Sequence, residues 1–132
     1  MTKKRILIVD DEPSITQLLR LNLEKSGHYT VRAENSAERG LGALHEFKPD
    51  AILLDVMMPE MDGGTLAEKI RSTRTFQRTP IVFLTAAVKQ EELDARNGVI
   101  GGFPYIAKPL NIKGVISVIE KCLPDDAIVA GR

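Results

Sequence analysis

Cysteine is nearly absent: Cys122 is the one thiol among 132 residues. A single cysteine excludes an internal disulfide and any multi-cysteine metal site, and it suits a reducing compartment. Charge of either sign is not in excess, because 18 Lys and Arg balance 18 Asp and Glu. Zero net charge argues against a dedicated nucleic-acid binder, which carries a basic face. Long apolar runs are missing too. None approaches the roughly 18 residues that span a bilayer. After the basic start, Met1 to Arg5, only Ile6–Val9 is apolar before Asp10, whereas a secretory signal takes about 7–15 apolar residues. There is no internal repeat and no low-complexity segment. The expectation is a soluble, cytoplasmic protein of one domain, since 132 residues match the usual domain size of roughly 100–150.

What is present alternates between two patterns. Short apolar runs stand at Ile6–Val9, Ala51–Leu54 and Ile81–Leu84, each bounded by charged or turn-forming residues. Strands buried on both faces of a parallel sheet read this way. Tyr29–Ala33 and Phe103–Ala107 are weaker runs, as edge strands tend to be. Between them lie helical spacings: Ile15, Leu18, Leu19 and Leu23; Ala37, Leu41, Leu44 and Phe47, with Ser36 as N-cap; Leu66, Ala67, Ile70 and Arg74; and Ile112, Val115, Ile116, Ile119 and Leu123, with Asn111 as cap. Lys89 to Asn97 offers only Leu93 and Ala95 as an apolar face, so it reads as a short, loosely anchored helix. Glu60, Asp62 and Gly63-Gly64 read as a turn into the third helix. A β-α unit repeated five times predicts an α/β, doubly wound (βα)5 three-layer sandwich around a parallel five-stranded sheet. Residues 1–123 would form the domain and 124–132 a short tail.

Ligands of such sheets bind beyond the carboxyl ends of the strands. Those positions hold Asp10-Asp11-Glu12, Asp55, Thr85 and Lys108-Pro109. Carboxylates that converge repel one another, and a divalent cation relieves the repulsion. Mg²⁺ suits hard oxygen ligands and binds through one or two carboxylates plus phosphate oxygens. A cation, a lysine, a hydroxyl and a nucleophilic carboxylate together suit a phosphoryl group, whose transfer depends on positioning and charge neutralisation. Plainer readings stand beside this one. Asp10 and Asp11 also suit the first turn of a helix. Glu12 reads as a first-turn residue, Met57 and Met58 as loop and packing residues, His28 and His45 as surface residues, and Cys122 as core.

The set Asp10-Asp11, Asp55-Val56-Met57-Met58-Pro59, Thr85-Ala86-Ala87 and Tyr105-Ile106-Ala107-Lys108-Pro109 resembles the receiver domain of two-component response regulators, a CheY-like, flavodoxin-like fold. The likeness runs from Lys4 to about Leu123 and brings with it the strand order 2-1-3-4-5. It implies that Asp55 is the phosphoacceptor and one of the Mg²⁺ residues, that Asp11 ligates Mg²⁺ directly and Asp10 through water, and that the Met57 carbonyl completes the protein's share. Thr85 and Tyr105 would be paired switch residues, Lys108 would bridge to the phosphate, and the Lys108–Pro109 peptide would be cis.

The implied function is a switch and not an enzyme acting on external substrates. A histidine kinase or phosphotransfer protein would load Asp55, and a face made by the fourth helix, the fifth predicted strand (Phe103–Ala107) and the last helix would signal to a downstream protein. Neither nucleic acid nor membrane would be touched directly, and the chain would be a monomer or a phosphorylation-dependent dimer. The alternative is that it is one domain of a longer chain. The alternatives are a flavodoxin-like FMN-binding electron carrier and a Mg²⁺-dependent phosphohydrolase. Against them, Asp10-Asp11-Glu12 would repel a flavin phosphate, and Met57 stands where a second acid/base carboxylate belongs. Two departures from the family pattern carry expectations. Gly101-Gly102-Phe103-Pro104 should loosen the output face or fit it to an uncommon partner. Met57 and Ala87 offer no group to orient a hydrolytic water, so self-dephosphorylation should be slow.

Overall fold

The structure is a computed structural model, and it describes residues 3–123. The expected tail, 124–132, lies outside the described residues. The elements follow in the order β1 (Lys4–Val9), α1 (Pro13–Lys25), β2 (Tyr29–Glu34), α2 (Ala37–Phe47), β3 (Ala51–Asp55), α3 (Gly63–Arg71), β4 (Ile81–Thr85), α4 (Gln90–Ala95), β5 (Val99–Ile100), β6 (Phe103–Ala107) and α5 (Ile112–Cys122). All five residues of β3 and of β4 are buried. Their alternation sorts them into two layers. Leu7, Val9, Ile52, Leu54, Ile81 and Phe83 pack with Ala43 and Leu44 of α2 and Leu66 and Ile70 of α3. Ile6, Ile8, Leu53, Val82 and Leu84 pack with Leu19 and Leu23 of α1 and Val115 and Ile119 of α5. A strand sandwiched between helix layers must be apolar on both sides, which explains the unbroken runs.

Caps fix where the helices begin. Ser36 accepts from the Arg39 N–H, Asp62 from Thr65 and Asn111 from Gly114. Pro13 opens α1, where its missing N–H costs nothing. The third helix stops at Arg71; Arg74 lies in a separate 3-10 turn, Arg74–Phe76, that sinks Phe76 into the core.

The sheet has six strands in the order β2-β1-β3-β4-β6-β5. The first five in that row are parallel, so Asp10, Asp55, Thr85 and Lys108 leave the sheet at one edge. The five-stranded order 2-1-3-4-5 is therefore corrected by one added strand. Val99–Ile100 pairs antiparallel with Phe103–Pro104 and displaces β6 from the edge position expected for it. Gly101 (φ +59) and Gly102 (φ +86) supply the two positive φ values of a tight hairpin turn. These glycines fold the chain back on itself. Pro104 removes no rung from the main sheet, since the pairing of β6 with β4 starts at Tyr105.

Candidate functional site

Each strand tip delivers one group. The Asp10 N–H still donates to the Glu34 carbonyl (3.2 Å), so its side chain leaves from the last rung of β1. Asp55 closes β3 and Thr85 closes β4. Asp10, Asp55 and Thr85 are all buried, at 0%, 4% and 1% exposure. Lys108 follows β6; its N–H donates to the Thr85 carbonyl (2.8 Å), and the Lys108–Pro109 peptide is cis. Gly63 sits so close that an added Cβ would stand 2.5 Å from the Asp55 carbonyl oxygen. The start of α3 is thereby pressed against the phosphoacceptor candidate.

Charge accounts for the contacts. The Lys108 ammonium lies 3.0 Å from Asp10 Oδ2, 3.4 Å from Glu12 Oε1 and 3.6 Å from Asp55 Oδ1. Asp10 Oδ1 accepts from the Glu12 N–H (3.0 Å) and Asp55 Oδ1 from the Met57 N–H (3.2 Å). One oxygen from each of Asp10, Asp11 and Asp55 lies within 4.8 Å of the others. Burial, then the charge of Asp10, pushes the Asp55 carboxyl up to about 6; the Met57 N–H and Lys108 pull the other way, and the Asp11 side chain adds to the rise. Burial alone would lower the Lys108 ammonium, but Asp10, then Asp55 and Glu12, outweigh it and hold it above its ordinary value.

A hard dication fits this donor set. The groups are all oxygens, they are crowded, and one lysine does not neutralise three carboxylates. Asp10 Oδ2 is buried with no aligned hydrogen bond, and its one close partner is the ion-paired lysine. An open cleft of about 460 Å³ reaches the group from outside, lined by Asp11, Glu12, Asp55, Met57, Ala86, Ala87 and Lys108.

The structure brings Asp10, Asp11, Asp55 and Lys108 together, with Thr85 beside them. The Thr85 Oγ1 accepts from the Ala87 N–H (2.9 Å). Tyr105 is set back along β6, opposite Phe83, with its half-buried ring 5.1 Å from that ring. Glu12 is not merely a first-turn residue: it occupies the N-cap position of α1 and reaches Lys108. The Met57 side chain is exposed, while Met58 is buried as a packing residue. His28 and His45 are exposed and outside the cluster, and half-buried Cys122 packs on the α1–α5 layer. The sequence reading named Glu12 and Gly63 without the contacts they make here, and it did not single out Asn35 and Thr16 behind Asp10. The Gly63-Gly64 doublet was a usable signal for the close approach at Gly63.

Comparison with known proteins agrees with this geometry. The response regulator receiver domain family matches residues 6–120. The alkaline phosphatase synthesis transcriptional regulatory protein PhoP of Bacillus subtilis is 39% identical over 96% of this chain, which spans 51% of PhoP. The chain thus spans about half the length of several such relatives. The polar-differentiation response regulator DivK of Brucella anthropi is 32% identical over 92% of this chain and 98% of its own length. Among solved structures, Vibrio cholerae chemotaxis protein CheY4 superposes with a TM-score of 0.80 at 27% identity, covering 92% of this chain and all of CheY4. Neither a flavin carrier nor a phosphohydrolase finds support in these matches. With a family match over most of its length and the acid cluster at the strand tips, the chain belongs to the receiver domains of two-component response regulators.

Proposed function

We propose that this receiver works as a phosphorelay switch with Asp55 as its phosphoacceptor. The observation that carries the reading is the convergence of the Asp10, Asp11 and Asp55 carboxylates, two of which (Asp10 and Asp55) face Lys108, at the mouth of an open cleft. An Asp55 carboxylate oxygen attacks the phosphorus of a phosphohistidine on an upstream kinase or phosphotransfer protein. The new O–P bond replaces the N–P bond, and the imidazole nitrogen keeps the electron pair. Asp11, Asp55 and the Met57 carbonyl would hold Mg²⁺ directly and Asp10 through water; bound there, the ion neutralises charge on the phosphoryl oxygens. Lys108 and the Thr85 hydroxyl take the remaining oxygens.

Lys108 has a second consequence. In the unphosphorylated chain it is engaged by Asp10 and Glu12, so the phosphoryl group must draw it away from them. Thr85 moving towards the new group would vacate space behind it, and Tyr105, on the neighbouring strand β6, would turn inward in response. Phosphorylation then shifts a two-state equilibrium of the α4-β6-α5 face, which an effector protein reads. Such a switch would act in the cytoplasm, and among the described residues no helix is long and apolar enough to cross a membrane.

The test is to incubate the chain with a small phosphodonor and Mg²⁺. A base-labile adduct of roughly 80 Da is expected on the wild type and none on Asp55→Asn. An adduct that survives Asp55→Asn overturns the assignment. Met57→Asn and Ala87→Glu should shorten the lifetime of the adduct, by roughly 10-fold or more, by orienting a water. Unchanged decay would show that these positions do not set it.

A further inference from the structure

We propose that Asn35, backed by Thr16, is a positioning residue for the cation site, fixing the Asp10–Asp11 peptide so that both carboxylates are presented together. The inference rests on the reading that Mg²⁺ binds the Asp10–Asp11–Asp55 cluster. Its starting point is the place where β1 and β2 part. Val9 pairs with Glu34, and the Asp10 N–H makes one more rung. Beyond it β2 has ended, and Ser36 is already the N-cap of α2. The Asp10 carbonyl has therefore run past the strand, and a side chain meets it instead: Asn35 Nδ2 donates at 2.8 Å.

The second proton of that amide goes to Thr16 Oγ1 at 3.1 Å. The Thr16 hydroxyl donates in turn to the Pro13 carbonyl, also at 3.1 Å. Thr16 is 3% exposed, so little water competes for its hydroxyl. The chain of bonds starts on the carbonyl of residue 10 and ends on that of residue 13, bracketing the segment that carries Asp10, Asp11 and Glu12. A carbonyl shares its plane with the next N–H, so holding the Asp10 oxygen fixes where the Asp11 backbone begins. Three carboxylates that repel one another need such a brace if they are to stay in register for a cation. Partners that orient metal ligands change affinity by roughly 10–100-fold when lost. Asn35 acts on the backbone of two ligands and not on their oxygens, which puts its effect near the low end.

The experiment uses the full chain and measures two quantities for each variant: Mg²⁺ affinity by calorimetric titration, and melting temperature without metal. Asn35→Ala and Asn35→Asp, which cannot donate to the Asp10 carbonyl, are expected to weaken Mg²⁺ binding roughly 10-fold. Thr16→Val should weaken it roughly 3-fold, and Thr16→Ser, which keeps the hydroxyl, should restore it. If Asn35→Ala melts earlier but binds Mg²⁺ within twofold of wild type, Asn35 only fastens β2 to α1 and the proposal is overturned. Should Asn35→Ala not fold, the Thr16→Val and Thr16→Ser pair decides, because equal affinities in those two also overturn it. A wild-type chain that binds no Mg²⁺ removes the cation reading and this inference with it. Normal wild-type binding with unaffected variants removes the inference alone.

Discussion

Asp55 ends a strand whose five residues are all buried between two helix layers, whereas Tyr105 stands on a strand whose outer neighbour is two residues long. At the centre, β1, β3 and β4 hold Asp10, Asp55 and Thr85 in place while those groups bear repulsion and burial. At the edge, α4 has six residues with Leu93 alone buried. Of the six described residues with positive φ, four are Asn97, Gly98, Gly101 and Gly102. The buried charges sit on strands covered on both faces, and the segment next to Tyr105 has little to hold it. Local stability should therefore differ between the two regions.

Hydrogen exchange measures that difference directly. Amides of β1 and β3 should exchange only by global unfolding, and those of residues 89–104 by local opening roughly 10³-fold faster, equivalent to about 4 kcal/mol. Equal protection in the two regions would break the comparison and with it the expectation of a loose output face. Next in size is Gly63→Ala. The added methyl would meet the Asp55 backbone, which the buried strand β3 cannot yield. A loss near the upper end of about 1–3 kcal/mol is expected on denaturant unfolding. A neutral substitution would show the strand tip to be softer than its burial implies.

The charges at the centre give a pH signature. Folded Asp55 keeps its proton up to about 6, while an unfolded aspartate releases it near ~3.9. Between those values the folded state binds more protons, so stability falls as pH rises from about 4 to about 6 and levels off above. Compared with Asp55→Asn, the metal-free wild type should lose roughly 2 kcal/mol across that window. A difference that stays flat with pH would show that Lys108 neutralises Asp55 fully.

Much of this centre is readable from the chain, because its physics is local. The runs at Ile6, Ala51 and Ile81 announce burial on both faces, and Ser36 and Asn111 announce helix starts. Once the strands are parallel, their tips must share an edge, which is why Asp10, Asp55, Thr85 and Lys108 were legible as a set. The remainder depends on what meets across the fold. A two-residue strand has no periodicity to detect, so β5 was hidden, and its glycines read as slack when they also form a turn. Glu12 reaches a lysine 96 positions away, and Asn35 reaches a carbonyl 25 positions away. Neither distance leaves a mark in local sequence.

The smallest effect tests whether the hairpin matters for its conformation or for its contacts. Gly102 has φ +86, yet nothing lies within 4 Å of where a Cβ would stand. Gly102→Ala thus meets no clash, and its penalty is torsional, about 1 kcal/mol. At the centre the same change in Gly63 is steric, so the two alanines separate the means by which each region is held. Because α4 and β5 contribute little burial, the Gly102→Ala penalty should appear mainly as faster exchange in residues 96–105, with the global melting point nearly unchanged. If instead the whole domain melts earlier by the full penalty, the hairpin folds as one unit with the central sheet. Tyr105 would then be tied to the same rigid body as Asp55, and a signal leaving through it would have to strain the core.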